Sequence, residues 1–533
     1  MSLLEHPKAQ ALLADAEVSA AAVRGCQGRL SAFLARYLPL FYRAEQRELA
    51  EVVLHGKLRN LQRKTAEPIA YRAGRQRKPV QHFVGAGAWD DEAVQTELRR
   101  HVAQTWGNPE AVLVLDPSGF AKKGDASCGV ARQWCGRLGK VDNGQLGVFL
   151  AYVTAQGAAL VDRQLYLPRQ WTRSRKRRRA THVPDGVRFR ENWRIGLELI
   201  DRSKAELPFG WISGDDAFGR VIAFRKGLRQ RGLRYVLDVP CDTLVRDINE
   251  EAAAGKCYPP WRRVDEWAKA QPSSRWHKVR RGDGAKGPKV VRVAQAWVQT
   301  KDERGRCGPL ERLVVIRAVD SEPRTWYTLS NASAEVELAC VAAVQGQRHG
   351  VEEVLQAAKG EVGLGHYEVR SWVGWHHHMT LSLLALWFLA LEKQRLGKKI
   401  PALTVPQLRE VMARLLQPKP PSAQRIAEEV SRVLRRNEEA RIYHWYRRTK
   451  NFPPPRGNPT AKTVTVELLW PFCRPALASK PARRGIPPSR GGSGLFLFLL
   501  FFPEERNRLG TGTTIFICLA ARSTQALGNP RLL

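Results

Sequence analysis

The stretch Ala111-Val-Leu-Val-Leu-Asp-Pro-Ser-Gly-Phe120 sets five apolar residues directly before an aspartate and a turn. A short apolar run bounded by turn formers reads as a strand buried on both faces. Such strands lie inside sheets covered by helices, so the fold class is α/β. The same reading places Asp116 at the C-terminal tip of a central strand, where ligand and metal sites of α/β sheets collect. An isolated aspartate there is equally a turn or cap residue.

Working outward, similar runs at 147–154, 159–167 and 210–213 predict further strands, with a helical interval at 190–204. Strands are also expected at 235–240, 312–319 and 326–329. Between them, 241–310 is rich in Trp, Gly and charge and reads as a β-rich insertion. Helical periodicity returns at 335–356, 379–394, 405–417 and 422–436. Residues 1–108 read as helical, with Ala- and Leu-rich stretches at 11–22 and 30–42 and a basic-flanked pattern at 44–64. Arg72, Arg75, Arg77 and Lys78 cluster before Gln81-His-Phe-Val, as in a small DNA-binding helical domain; a solvated cationic loop is the plainer reading. The expected organisation is a helical N-terminal DNA-binding region (1–108), the first part of an α/β core (109–240), the β-rich insertion (241–310), and the rest of the core with C-terminal helices (311–450). A Pro/Arg/Gly-rich tail without periodicity (451–533) reads as disordered.

Lys and Arg number 87 against 51 Asp and Glu in 533 residues, a formal charge of +36. A polyanionic partner follows, and nucleic acid fits best because the basic residues are spread along the chain instead of lying on one amphipathic helix. Nine cysteines are scattered without the close pairs that a zinc site needs. The N-terminus lacks a secretory pattern, and the apolar run at 495–502 is too short to span a bilayer. A cytoplasmic protein without a membrane partner is expected.

Asp215 follows Trp211-Ile-Ser-Gly and precedes Asp216-Ala-Phe-Gly, again at a strand end. In Arg348-His-Gly-Val-Glu-Glu-Val-Leu-Gln-Ala-Ala-Lys359, spacings of four and seven put Arg348, Glu352 and Lys359 on one helical stripe. Val351, Val354, Leu355 and Ala358 form the apolar stripe beside it. An i,i+4 surface pair would explain the helix by itself. Asp116, Asp215 and Glu352 together would make a self-repelling oxygen cluster. Two Mg²⁺ ions about 3.5–4 Å apart would relieve that repulsion and create a site for in-line phosphodiester cleavage.

With these motifs the chain resembles the bacterial DDE-type insertion-sequence transposases, in the subgroup with a Tyr-(2)-Arg-(3)-Glu-(6)-Lys signature. Arg348, Glu352 and Lys359 fit that spacing, and Gln345 stands at the tyrosine position. Asp116-Pro-Ser-Gly-Phe-Ala-Lys-Lys-Gly, Gly129-Val-Ala-Arg-Gln-Trp and Trp211-Ile-Ser-Gly-Asp-Asp-Ala-Phe-Gly carry the resemblance further, over about residues 28–450. It implies a ribonuclease-H-like core, Asp116, Asp215 and Glu352 as catalytic triad and ligands of two Mg²⁺ or Mn²⁺ ions, and DNA contacts from Arg348 and Lys359. The pattern of Asp, two residues, an aromatic and Gly selects Asp215 over Asp216. The implied activity is binding of terminal inverted repeats, two-metal hydrolytic cleavage, and joining of 3′ ends to target DNA by transesterification. A homo-oligomer on double-stranded DNA and association with the nucleoid follow from it. The alternative is a catalytically inactive DNA-binding protein derived from a transposase, suggested by Gln345 and the tail.

Lys122, Lys123 and Arg132 are placed on loops near Asp116, where they could hold the DNA backbone or simply form a basic surface. Arg173-Ser-Arg-Lys-Arg-Arg-Arg179 would add salt-sensitive phosphate affinity. Trp134, Trp372 and Trp375 could stack on an exposed base or belong to the core. His376-His377-His378 does not read as a metal site, since consecutive helical residues point about 100° apart.

Overall fold

In the computed structural model the strands along the chain are β1 (Val112–Ala121), β2 (Ala131–Cys135), β3 (Lys140–Thr154), β4 (Gly157–Leu165), β5 (Trp211–Gly214) and β6 (Arg234–Val239). They continue as β7 (Leu244–Asp247), β8 (Arg262–Arg263), β9 (His277–Gly284), β10 (Gly287–Lys301), β11 (Cys307–Ala318) and β12 (Thr325–Ser330). The structure describes residues 2–135, 139–251, 257–284, 287–319, 324–397, 403–417 and 419–456. These lie within one compact unit, Met1–Arg474. The expectation for the tail falls, from residue 457 on, outside the described residues.

All twelve strands join one sheet in the order β2-β3-β1-β5-β6-β12-β11-β10-β7-β8, with β4 also on β3 and β9 on β10. β1 forms where its apolar run requires, yet it continues five residues past Asp116. β3 runs antiparallel along its whole length, from the Val112–Val153 pair to Ala121–Gly144. On the other flank β5 is parallel and ends at the Leu115–Gly214 pair. Asp116 is therefore mid-strand and not at a strand tip, but it sits just beyond the end of the parallel ladder. From there β1 is an edge on its β5 side, a setting in which a strand tolerates Pro117.

Six helices precede the sheet: α1 (Pro7–Ala14), α2 (Ala20–Tyr37), α3 (Ala44–Leu58), α4 (Ala66–Arg72), α5 (Arg77–Gly85) and α6 (Asp91–Trp106). The helical stretch expected at 11–22 is interrupted, because Ser19 caps α2 by accepting from the Ala22 amide. Between β4 and β12 come α7 (Arg169–Thr172), α8 (Arg175–Ala180), α9 (Asn192–Ser203), α10 (Asp216–Gly219), α11 (Ile222–Gln230) and α12 (Val264–Ala270). α13 (Leu338–Glu361), α14 (Trp372–Gly397), α15 (Val405–Leu415) and α16 (Ala423–Thr449) follow.

The N-terminal helices share their core with the sheet. Phe33, Leu98, Leu113, Phe149, Val351 and Leu384 belong to one buried cluster. Phe33 meets Phe388 edge-on at 5.4 Å, and Trp89 stacks on His377 at 3.7 Å. α14 is buried nearly all round, which explains its lack of a polar face. Among the described residues no helix is long and apolar enough to cross a membrane.

The interval 241–310 supplies β7 to β10 and the start of β11. These strands prolong the same sheet beyond β6 and β12, and carry a second apolar cluster of their own around Val245, Trp267, Val298 and Val315.

Candidate active site

α13 lies against the sheet through Val351, Val354, Leu355 and Ala358, all buried as their spacing implies. Gly350 allows a close approach: a Cβ there would stand 3.1 Å from a Val153 methyl of β3. A cleft of about 490 Å³ opens between the polar edge of α13 and β1, lined by Asp116, Ser118, Glu352, Leu355, Gln356, Lys359 and Gly360.

Strand register aligns three aspartates, of which Asp116 lines this cleft. Leu115 pairs with Gly214, and Gly214 with Leu237, along three adjacent parallel strands. The next residues, Asp116, Asp215 and Asp238, thus leave β1, β5 and β6 in one row. Leu115 turns toward α9, where a Cβ on Gly196 would stand 2.9 Å from its methyl. Strand alternation then directs Asp116 to the opposite, α13 side.

Asp215 also caps α10, accepting from the Ala217 amide at 3.2 Å. Its neighbour Asp216 is exposed and pairs with Arg220 at 3.3 Å. A Cβ on Gly219 would stand 1.8 Å from the Asp238 carbonyl oxygen, so only glycine lets this turn lie against β6. That close approach gives the Asp-x-x-Phe-Gly spacing a physical content.

Burial, then the Glu352 charge, push the Asp116 carboxyl up to about 6. Burial, then the Asp116 and Asp216 charges, push Asp215 up to about 7. Two half-buried carboxyls raised by burial and by neighbouring acids are hard oxygen donors short of compensating charge, which suits a divalent cation. Glu352 is oriented differently. Its Oε1 lies 2.6 Å from Arg348 Nη1 and its Oε2 3.3 Å from His349 Nδ1. Among the described residues no three His, Cys, Asp or Glu side chains are already gathered around a common metal position. Glu352 faces the same cleft from α13 with its carboxylate held by Arg348 and His349.

Arg348 spans two acids, with Nε 2.9 Å from Asp238 Oδ2 in addition to its contact with Glu352. Gln345 is 1% exposed and faces inward, donating to Asp238 Oδ1 at 3.1 Å and accepting from Arg281 Nη2 at 2.5 Å. In this structure the signature's first position is a buried brace. Glu353 points away from the cleft and pairs with His349 at 3.2 Å.

Lys359 Nζ donates to Ser118 Oγ at 2.8 Å and lies 5.2 Å from the centre of the Phe120 ring. Lys122 turns inward to the Tyr367 carbonyl and ring, and burial pushes it down to about 8. Lys123 is exposed. Arg132 is exposed on β2 and not on a loop, because β2 pairs with β3 in a hairpin. Trp134 on the same strand is 61% exposed, whereas Trp372 and Trp375 are core. In the basic run, Arg173, Arg175, Lys176 and Arg179 are exposed, while Arg178 braces the Val187 and Pro184 carbonyls. Near α4 and α5, Arg75 pairs with Glu48 and Arg77 with Glu67, which reduces that cluster's charge. His376, His377 and His378 are buried and bond separately to the carbonyls of Trp372, Trp89 and Gly363.

Sequence reasoning missed Asp238, Ser118 and Arg281. Asp238 had a signal, an acid near the end of the apolar run 235–240. Arg281 had none, because its contact depends on how β9 meets α13.

Residues 36–299 match the family model described as DDE superfamily endonuclease; this span takes in Asp116, Asp215 and Asp238 and ends before Glu352. A probable transposase for insertion sequence element IS701 of Microchaete diplosiphon is 30% identical over 206 residues, 38% of this chain and 51% of that protein. The chain thus spans about half the length of this curated relative.

Proposed function

We propose that the chain, which matches the DDE superfamily endonuclease model over residues 36–299, is a DNA transposase whose working carboxylates are Asp116, Asp215 and Glu352. The observation that supports this reading is the alignment of Asp116 with Asp215, just past the end of the neighbouring strand, and Glu352 facing Asp116 across the cleft. The order β4-β3-β1-β5-β6, in which β3 alone is antiparallel to the other four strands, would serve as the ribonuclease-H-like core.

Asp116 and Asp215 would hold two Mg²⁺ or Mn²⁺ ions, with Glu352 joining them from α13 while Arg348 keeps hold of its carboxylate. Such ions, when bound, activate a nucleophile and steady the leaving oxygen of a phosphodiester. Lys359, fixed by Ser118 at the cleft wall, would orient the scissile strand, and Arg348 would set Glu352 and the adjoining phosphate. The exposed Lys123 and Arg132 and the 173–179 run would hold the DNA backbone without reading sequence. The helical region 1–108 would recognise the terminal inverted repeats, and two ends would be cut and joined to target DNA in a homo-oligomer at the nucleoid.

The test is cleavage of a labelled duplex carrying the element's own ends by the full chain, in Mg²⁺, Mn²⁺ or EDTA, beside Glu352→Gln. Metal-dependent nicking at the element boundary, lost in the variant, supports the proposal. Binding without cleavage in either metal would leave a DNA-binding protein without nuclease activity.

A further inference from the structure

Glu352 is 44% exposed, and an isolated i,i+4 pair with Arg348 at such a place holds a side chain only weakly. Here the arginine is not isolated. Its Nε lies 2.9 Å from Asp238, whose carboxylate leaves β6 in the same row as Asp116 and Asp215 and is only 13% exposed. Arg348 therefore spans from a strand residue to the glutamate, held at its buried end by ion pairing and not by a directed hydrogen bond from Nε. The other Asp238 oxygen accepts from Gln345, and Gln345 accepts in turn from Arg281 of β9. Arg281 is held as well: its guanidinium lies 5.0 Å from the centre of the Trp326 ring, and a Cβ on Gly346 would stand 2.6 Å from its Nε. The contacts run without a gap from the sheet extension to the cleft.

We propose that Asp238 is a positioning residue for Glu352: it clamps Arg348, Arg348 sets the glutamate carboxylate, and Gln345 with Arg281 braces Asp238 from the extension. The proposal rests on the reading that Glu352 works in this cleft. Partners behind a metal ligand commonly change metal affinity by about 10–100-fold when removed.

The experiment is a Mn²⁺ titration of the full chain in metal-free buffer, following the paramagnetic resonance signal of free Mn²⁺. Wild type, Asp238→Asn, Arg348→Ala and the double variant are compared, with thermal melts to establish folding. Asp238→Asn is expected to weaken Mn²⁺ binding about tenfold, and to have no further effect once Arg348 is alanine. Wild-type affinity in Asp238→Asn overturns the proposal, and so do losses that multiply in the double variant, since Asp238 would then act independently of Arg348. Absence of Mn²⁺ binding by wild type overturns the metal-nuclease reading and this proposal together, which distinguishes the two failures. If Asp238→Asn does not fold, Arg281→Gln replaces it. Weakened binding confined to the Arg348 background supports the proposal, and unchanged binding overturns it.

Discussion

Lys359 Nζ reaches Ser118 Oγ at 2.8 Å, joining the last turns of α13 to β1 two residues beyond Asp116. The contact closes one wall of the acidic cleft with a cation, between residues 241 positions apart in the chain. Removing the ammonium should cost more than removing the hydroxyl that steadies it, because only the ammonium offers charge to a phosphate. Lys359→Ala should lower the cleavage rate at least about tenfold, and Ser118→Ala less than about threefold. Single-turnover rates on a pre-bound duplex check this; equal losses would show that the pair serves packing alone.

Asp116 and Asp215 make the metal-free protein sensitive to pH. Their carboxyls are raised to about 6 and about 7 in the folded chain, above the value of an unfolded aspartate. The folded state thus binds protons more tightly, and its stability should fall as pH rises from about 4 through about 7. Asp215→Asn should raise the melting temperature at pH 8 in EDTA, because it removes a cost of burial and repulsion on the order of 2 kcal/mol, while abolishing cleavage. Mg²⁺ should stabilise the wild type at pH 8 and do so progressively less below pH 6, where protons compete. A variant less stable than wild type at pH 8 would contradict the electrostatic account.

Gly219→Ala should be destabilising although the added group is one methyl. Its Cβ would stand 1.8 Å from the Asp238 carbonyl oxygen, and backbone cannot yield as a flexible side chain does. A loss of about 1–3 kcal/mol is expected, measured by denaturant unfolding of the full chain. The strain falls between the strands carrying Asp215 and Asp238, so cleavage should fall as well.

Lys123 and Arg132 are exposed cations near the cleft-bearing strand. Replacing both with Gln should weaken DNA binding for every sequence alike and reduce the slope of log affinity against log salt by about 2. Titrations of specific and unrelated duplexes at several salt concentrations read both effects. A loss confined to the element's ends would instead mean base recognition.

Trp134 is 61% exposed and pairs across the hairpin with Val141, itself 51% exposed. Trp134→Ala should leave the melting temperature unchanged, because little apolar area is lost from the core. If the indole stacks on an unpaired base, affinity for a single-stranded end should drop by about 1–3 kcal/mol while duplex affinity is kept. Equal affinity for both DNA forms in wild type and variant would remove that role.

The sequence by itself determined the texture of this protein. Apolar runs such as 111–115 and 235–240 become strands because they bury on both faces, and the helical stripe of Val351, Val354, Leu355 and Ala358 is buried as periodicity requires. Period and burial are local properties, readable a few residues at a time. Asp116, Asp215 and Glu352 stand out as candidates for the same reason, through their place beside those runs and stripes. Only the tertiary structure decided what lies around them. Asp238 joins the row because Gly214 pairs with Leu237, Gln345 turns inward because Arg281 and Asp238 meet it from two different strands, and Asp116 is mid-strand because β3 outlasts β5. Each depends on register between segments distant in the chain, and register is set by the pairing of whole strands and not by the residues on either side of an acid.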